Sequence, residues 1–303
     1  MRHSLTSLGF LLVFAVMTPI HAQRVDYPAL QITTPDGGTS LLLGTMHQGD
    51  DRVPLPLPVV VEQALRLVVA SDLLARPLPP RAGGPPPDLS PQISLGSILD
   101  EGEKATLRTR VQCHLPQNST PSDIEVVTSF ALSGPIRVTA DFAALCPTPG
   151  QPSVESWLKK AAAARGVPLD SLEGTQDSSM QRAALPDRIF ISNVRRILSS
   201  QGSDLFARLT TFLNTGDYEG ICGLVRENFA SSADWDLFEQ RLVSERNAHW
   251  MPVLERYLEE GQAVIMVGAS HLCGENGLPA LLSKKGYQIE SIRIPAVGRP
   301  PTP

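Results

Sequence analysis

The chain has 303 residues, 42% hydrophobic and 19% charged, with a formal net charge of −5. That balance excludes a wholly disordered chain, and the lack of a basic excess argues against partners held through phosphate charge, so neither nucleic acid nor an anionic membrane is expected.

Residues 1–22 carry Arg2, an apolar run from Leu8 to Met17, Pro19, and a small Ala22 before Gln23. The run is short for a bilayer span and no cysteine follows it, so it reads as a secretory signal peptide, with a retained anchor as the alternative. Removing it takes the charge to −6 and leaves about 280 residues, 23–303, enough for one large α/β domain. A periplasmic or secreted location follows, with no stable membrane insertion after cleavage. Four cysteines lie in this exported part and allow three pairings; we expect Cys113 with Cys146 and Cys222 with Cys273. The alternative makes Cys273 a soft metal ligand two residues beyond His271.

Gln31 to Thr34, the turn Pro35-Asp36-Gly37-Gly38, and Thr39 to Gly44 predict a hairpin whose second strand runs into Gly44-Thr45-Met46-His47. Asp50 and Asp51 either orient His47, help to bind a metal, or are plain solvated loop carboxylates. Pro58 suits the start of a helix-like Val59 to Val68, and Ser71 to Arg76 is the next strand candidate. The stretch Pro79 to Pro87 reads as a surface loop. Residues 95–165 read as mostly helical, closing with a helix capped by Ser153, with Glu155 in its first turn, and stopped by Gly166. Val167 to Leu172 offers a strand with Glu173 at its end, and residues 180–260 read as a series of helices. Trp235, Phe238, Trp250 and Tyr257 are expected to pack between them.

The stretch Gly261 to His271, GQAVIMVGASH, predicts a strand buried on both faces that delivers a histidine at its carboxyl end, where open α/β sheets bind ligands. Two strands thus end in Gly-x-x-His, the glycine allowing a sharp turn or close approach. A helix from Leu278 to Lys285, a strand from Tyr287 to Ile294 and a frayed Ala296 to Pro303 complete the chain. The expected fold is α/β: a central sheet with these two motifs close together, flanked by helices and capped by segments at about 95–165 and 180–245.

Leu42-Leu43-Gly44-Thr45-Met46-His47, Val267-Gly268-Ala269-Ser270-His271-Leu272, Ser244-Glu245-Arg246-Asn247 and Gly166-Val167-Pro168-Leu169-Asp170-Ser171-Leu172-Glu173 resemble the TraB/GumN family, which is related to the Tiki metalloproteases. The resemblance implies an exported, metal-dependent hydrolase of the peptidase kind, acting on a peptide or small-molecule substrate. His47, His271 and Glu173 would ligate a divalent ion, with manganese, cobalt or zinc admitted by such donors. Glu173, Arg246 and Asn247 would be the catalytic set, Arg246 stabilising developing charge. The family normally ends the strand after the first histidine with a glutamate, whereas Ala75-Arg76-Pro77-Leu78 holds no acid. That departure motivates the alternative, a catalytically inactive periplasmic binding or interaction protein on the same fold.

Overall fold

A computed structural model of the chain describes residues 24–75, 88, 90–112, 115, 119–143, 151–199 and 202–298. The signal peptide, the Cys113 and Cys146 pair, Arg76 to Leu78, the proline-rich loop and the last five residues lie outside the described residues.

Among the described residues there are seven strands: β1 Arg24–Thr33, β2 Thr39–Thr45, β3 Leu55–Pro56, β4 Arg66–Val69, β5 Leu169–Ser171, β6 Ala263–Gly268 and β7 Gln288–Val297. They form one sheet in the order β3-β7-β1-β2-β6-β4-β5. Half of it is antiparallel, with β1 between its hairpin partner β2 and the last long strand β7. The other half, β2, β6, β4 and β5, is parallel throughout. Four carboxyl ends therefore meet at one edge, and the residues that follow them include His47, His271, Asp72 and Glu173. This edge is where a parallel sheet presents ligand-binding side chains.

The hairpin forms as its turn chemistry dictates, with Gly37 at φ 89° and Thr34 N–H donating to Gly38 O. The strand Val264 to Val267 is buried on both faces, in keeping with its uninterrupted apolar run. The stretch after Pro58 departs from expectation. Its helix, α1 Val59–Glu62, lasts about one turn. Arg66 to Val69 then pairs with β6 on one side and β5 on the other, because a run of Leu67, Val68 and Val69 buries more apolar surface between two strands than on an exposed helix. The strand expected at Ser71 to Arg76 is therefore corrected to Arg66–Val69, and Ala75 lies in the turn beyond it. The tail is corrected as well: β7 continues to Val297, with Ala296 buried opposite Val25.

Beyond α2 Leu95–Ile98, the cap comprises α3 Glu101–Val111, α4 Pro121–Ser133 and α5 Ile136–Thr139, and further on α7 Thr175–Ala183 and α8 Asp187–Leu198. Between these groups, α6 Val154–Arg165 packs against the sheet. Ser153 Oγ caps its start and Gly166 ends it at φ 69°. The series continues with α9 Gly202–Thr215, α10 Tyr218–Arg226, α11 Ser232–Glu239, a π-helical turn Gln240–Ser244, α12 Glu245–Glu260 and α13 Leu278–Lys284. Two apolar cores result. One lies about the sheet; the other joins α2 to α5 with α8 and the aromatic cluster Phe229, Trp235 and Phe238.

The two motif glycines do different work from the turn expected of them, since neither adopts positive φ. A Cβ on Gly44 would lie 2.5 Å from Tyr218 Cε1 and 2.8 Å from Leu272 Cδ1, while one on Gly268 would meet only His271 Cδ2 at 3.6 Å. Gly44→Ala is expected to destabilise by about 1–3 kcal/mol through overpacking, and Gly268→Ala by less than about 0.5 kcal/mol. Urea denaturation of both variants checks the contrast, and equal losses would refute it.

Candidate functional site

At the carboxyl edge of the parallel strands, a cleft of about 690 Å³ opens between the sheet and the cap. His47, His271 and Arg246 line it; Glu173 and Asn247 stand behind that lining. The first histidine follows β2 and its ring, 76% exposed, faces the cleft solvent. Its Nδ1 lies 3.2 Å from Glu155 Oε2, and Thr45 donates its hydroxyl to the other oxygen, Glu155 Oε1, at 2.5 Å. Thr45 Oγ1 also contacts Val267 O across the β2–β6 pair at 3.1 Å. Glu155 stands in the first turn of α6, where the helix dipole favours an anion.

Hydrogen bonding to Glu155, and then the carboxylate's charge, raises the His47 imidazole above its ordinary range, outweighing the desolvation that the surrounding cleft imposes on a ring that is itself largely exposed. Burial pushes the Glu155 carboxyl up, but the bonds from His47 and Thr45 together with the charge of His47 outweigh it and hold the group below the usual range. His47 and Glu155 thus form a dyad in which the ring's Nδ1–H is held by a carboxylate. Nε2 is left to act as base, acid or ligand.

The second histidine follows β6 on a single 3₁₀ turn, Ala269–Leu272, and is buried. Asn247 Nδ2 donates to His271 O at 3.1 Å and Asn276 O at 2.8 Å, which fixes the amide so that Oδ1 accepts from His271 Nδ1 at 2.7 Å. Nε2 faces Arg246 Nη1 at 3.4 Å, and a guanidinium only donates, so Nε2 carries the lone pair. The ring of Trp250 lies 4.4 Å from that of His271, centre to centre. Asn247 therefore acts as a positioning residue for the turn and the ring.

Glu173, 1% exposed, receives Arg246 Nη2 at 2.6 Å and Nε at 3.1 Å on Oε1, and Trp250 Nε1 at 2.9 Å on Oε2. Its carboxylate is spent on holding the guanidinium, which also lies 4.7 Å over the Trp250 ring. The acid expected as a metal ligand thus forms a buried ion pair with Arg246. Among the described residues, no three His, Cys, Asp or Glu side chains stand together so as to hold a metal ion. With Glu173 committed and a cation beside His271 Nε2, the set His47, His271 and Glu173 does not fit a metal in this arrangement. Cys222 and Cys273 stand at disulfide distance, Cα atoms 6.5 Å apart, which takes the Cys273 sulfur away from the cleft chemistry.

The profile of the TraB/PrgY/gumN family matches residues 29–291. The chain belongs to that family. Two relatives, each named "Uncharacterized protein YbaP", come from Shigella flexneri and Escherichia coli (strain K12); each is 24% identical over 270 residues, covering 87% of this chain and 95% of the relative. No solved structure gives a significant match. No helix among the described residues of this TraB/PrgY/gumN protein is long and apolar enough to cross a membrane.

Glu155 and Asp72 in the cleft wall, and the buried Trp250 behind it, are not marked as site residues by the sequence. Glu155 looked like an ordinary helix-start acid, and 108 residues separate it from His47. Trp250 was assigned to packing, and its indole N–H also serves Glu173. Asp72, two residues past Ala70 and paired with Lys159 Nζ at 2.6 Å, supplies a carboxylate near the end of β4. Asp50 is corrected too: it is fully buried and held by Arg52 through its backbone N–H at 2.7 Å and its guanidinium.

Burial, then the charge of Arg246, then that of His47 hold the His271 imidazole well below its usual range. In the unfolded chain the ring takes a proton near pH 6.5. As pH falls below that value the unfolded state binds a proton that the folded state refuses, so stability falls by up to about 1.4 kcal/mol per pH unit. The raised His47 has the opposite sign: its contribution is complete below about pH 6.5 and fades as pH rises through the higher folded value. Its exposed ring makes that the smaller effect. The melting temperature should fall between about pH 7.5 and 5.5, and fall less steeply in His271→Gln. An equal slope in both proteins would place the acid sensitivity elsewhere.

Proposed function

We propose that the cleft is the hydrolytic centre of an exported enzyme acting on a peptide or small-molecule amide or ester. One observation carries the reading: the His47–Glu155 dyad faces the same cleft as a preoriented Arg246 at the carboxyl ends of four parallel strands. In this scheme His47 Nε2 takes the proton of an attacking water as the new C–O bond forms. Glu155 stabilises the resulting imidazolium, and Arg246 faces the negative charge that develops on the carbonyl oxygen. The proton then passes from His47 to the leaving group as the scissile bond breaks.

The divalent ion expected from the resemblance is the part that the donor arrangement supports least, and no step is routed through it. The commitment of Glu173 to Arg246 and Trp250 favours a second reading, a binding or interaction protein that keeps the fold without the chemistry.

Incubation of the purified protein with a peptide library, alone and with manganese, cobalt or zinc, and mass-spectrometric readout, separates these. Under hydrolysis, His47→Ala should lower cleavage by about 10²–10⁴-fold, with Glu155→Gln lowering it in the same direction and both variants folded. Absence of cleavage in every condition would leave the second reading. Metal analysis of the same samples decides the cofactor.

A further inference from the structure

We infer that the cleft, taken as the hydrolytic centre proposed above, is built for substrates with a large apolar side chain, branched aliphatic or aromatic, next to the scissile bond on a peptide-like backbone. The inference rests on that proposal for its chemistry and on separate residues for its specificity.

The two walls of the cleft differ. The sheet side carries His47, His271, Asp72 and the Glu155 and Lys159 of α6, while the cap side, apart from the Arg182–Asp141 pair, presents apolar stripes from two helical runs. On α8, Phe190, Val194 and Ile197 recur at helical spacing on the face that lines the cleft. Phe238 and Leu242, four apart, extend the stripe along the run that delivers Arg246 four residues later. Ile197, Phe238 and Leu242 are only partly buried, so apolar surface remains for a ligand to cover.

The charges around the cleft are already matched. His47 is paired with Glu155, Lys159 with Asp72, Arg182 with Asp141, and Arg246 with Glu173. A charged substrate group would have to displace one of these partners, whereas an apolar side chain gains by leaving water without disturbing them. In the apolar stripe stands Asn193, whose amide has no hydrogen-bond partner among the described residues. An amide offers both a donor and an acceptor, which matches the N–H and C=O of a peptide unit. A cleft of about 690 Å³ admits a short peptide or blocked amino acid.

The test uses the full-length mature protein and internally quenched peptides that differ at one position, leucine or phenylalanine against glycine or glutamate. Binding of N-acetyl-phenylalaninamide and N-acetyl-glutamate amide is followed in parallel by calorimetry. The apolar peptides should be cleaved with kcat/KM higher by roughly 10-fold or more. Ile197→Asp should bring the leucine peptide down to the level of the glycine peptide, and Ile197→Ala should act in the same direction if the aspartate variant does not fold. Asn193→Leu should raise KM across the series more than it lowers kcat. Equal cleavage of all peptides overturns this inference and leaves the hydrolytic reading intact. No cleavage, with tighter binding of the phenylalanine compound, overturns hydrolysis and supports the ligand class. No cleavage and no preference in binding overturns both.

Discussion

Arg246→Leu is expected to cost about 3–5 kcal/mol of folding stability, because it strands the buried Glu173 carboxylate without its cation. That loss is a large share of the 5–15 kcal/mol typical of a domain. It corresponds to a melting temperature lower by on the order of 10 °C. The guanidinium supplies two bonds to Glu173 Oε1, stacks over Trp250 and donates to Leu242 O at 3.2 Å, so the indole N–H alone would remain for the acid. The partner-side test is Glu173→Gln in the same background. The double variant should recover part of the loss, since a neutral amide no longer requires a cation, and the coupling in a double-mutant cycle should exceed about 1 kcal/mol. Additive losses from the two single changes would mean that the pair is not a unit.

The second large effect concerns Cys222 and Cys273. Closing a loop with a sequence separation of 51 should stabilise the fold by about 4 kcal/mol on the chain-entropy account. Reduction, or Cys222→Ala with Cys273→Ala, should therefore lower the melting temperature markedly. The bridge also ties the 3₁₀ turn that carries His271 to α10, with both sulfurs near Ser270 O, at 3.6 Å and 3.3 Å. A reduced protein should accordingly bind and process ligands less well at temperatures where it remains folded. Non-reducing peptide mapping identifies the pairing, and a free Cys273 thiol in the native protein would defeat the prediction.

What could be read from the sequence was local. The Pro-Asp-Gly-Gly turn, the Ser153 and Gly166 caps and the apolar run into Gly268 are each specified by neighbours a few residues away, and all three formed as expected. The stretch Val59 to Val68 misled because its apolar spacing fits a helix, while the decision was made by β5 and β6, which are remote in sequence. The same holds for the site. His47 and His271 announced themselves through strand context, but Glu155 and Asp72 are ordinary acids until the sheet and α6 bring them to one edge. Glu173 stands out in the sequence as the acid at a strand end, and only the position of Arg246 shows how its oxygens are used.

The pairing of the first strand with the last has a kinetic consequence. β1 lies against β7 over ten residues, from Arg24 opposite Val297 to Thr33 opposite Gln288. Until β7 has been synthesised, β1 has only β2 beside it, and the antiparallel half of the sheet lacks its central neighbour. Contacts between distant ends of a chain carry a high loop-closure entropy and slow the folding search. The outer edge of β1 can therefore be paired only after the final segment has emerged, whereas the parallel strands β2, β6, β4 and β5 do not require it.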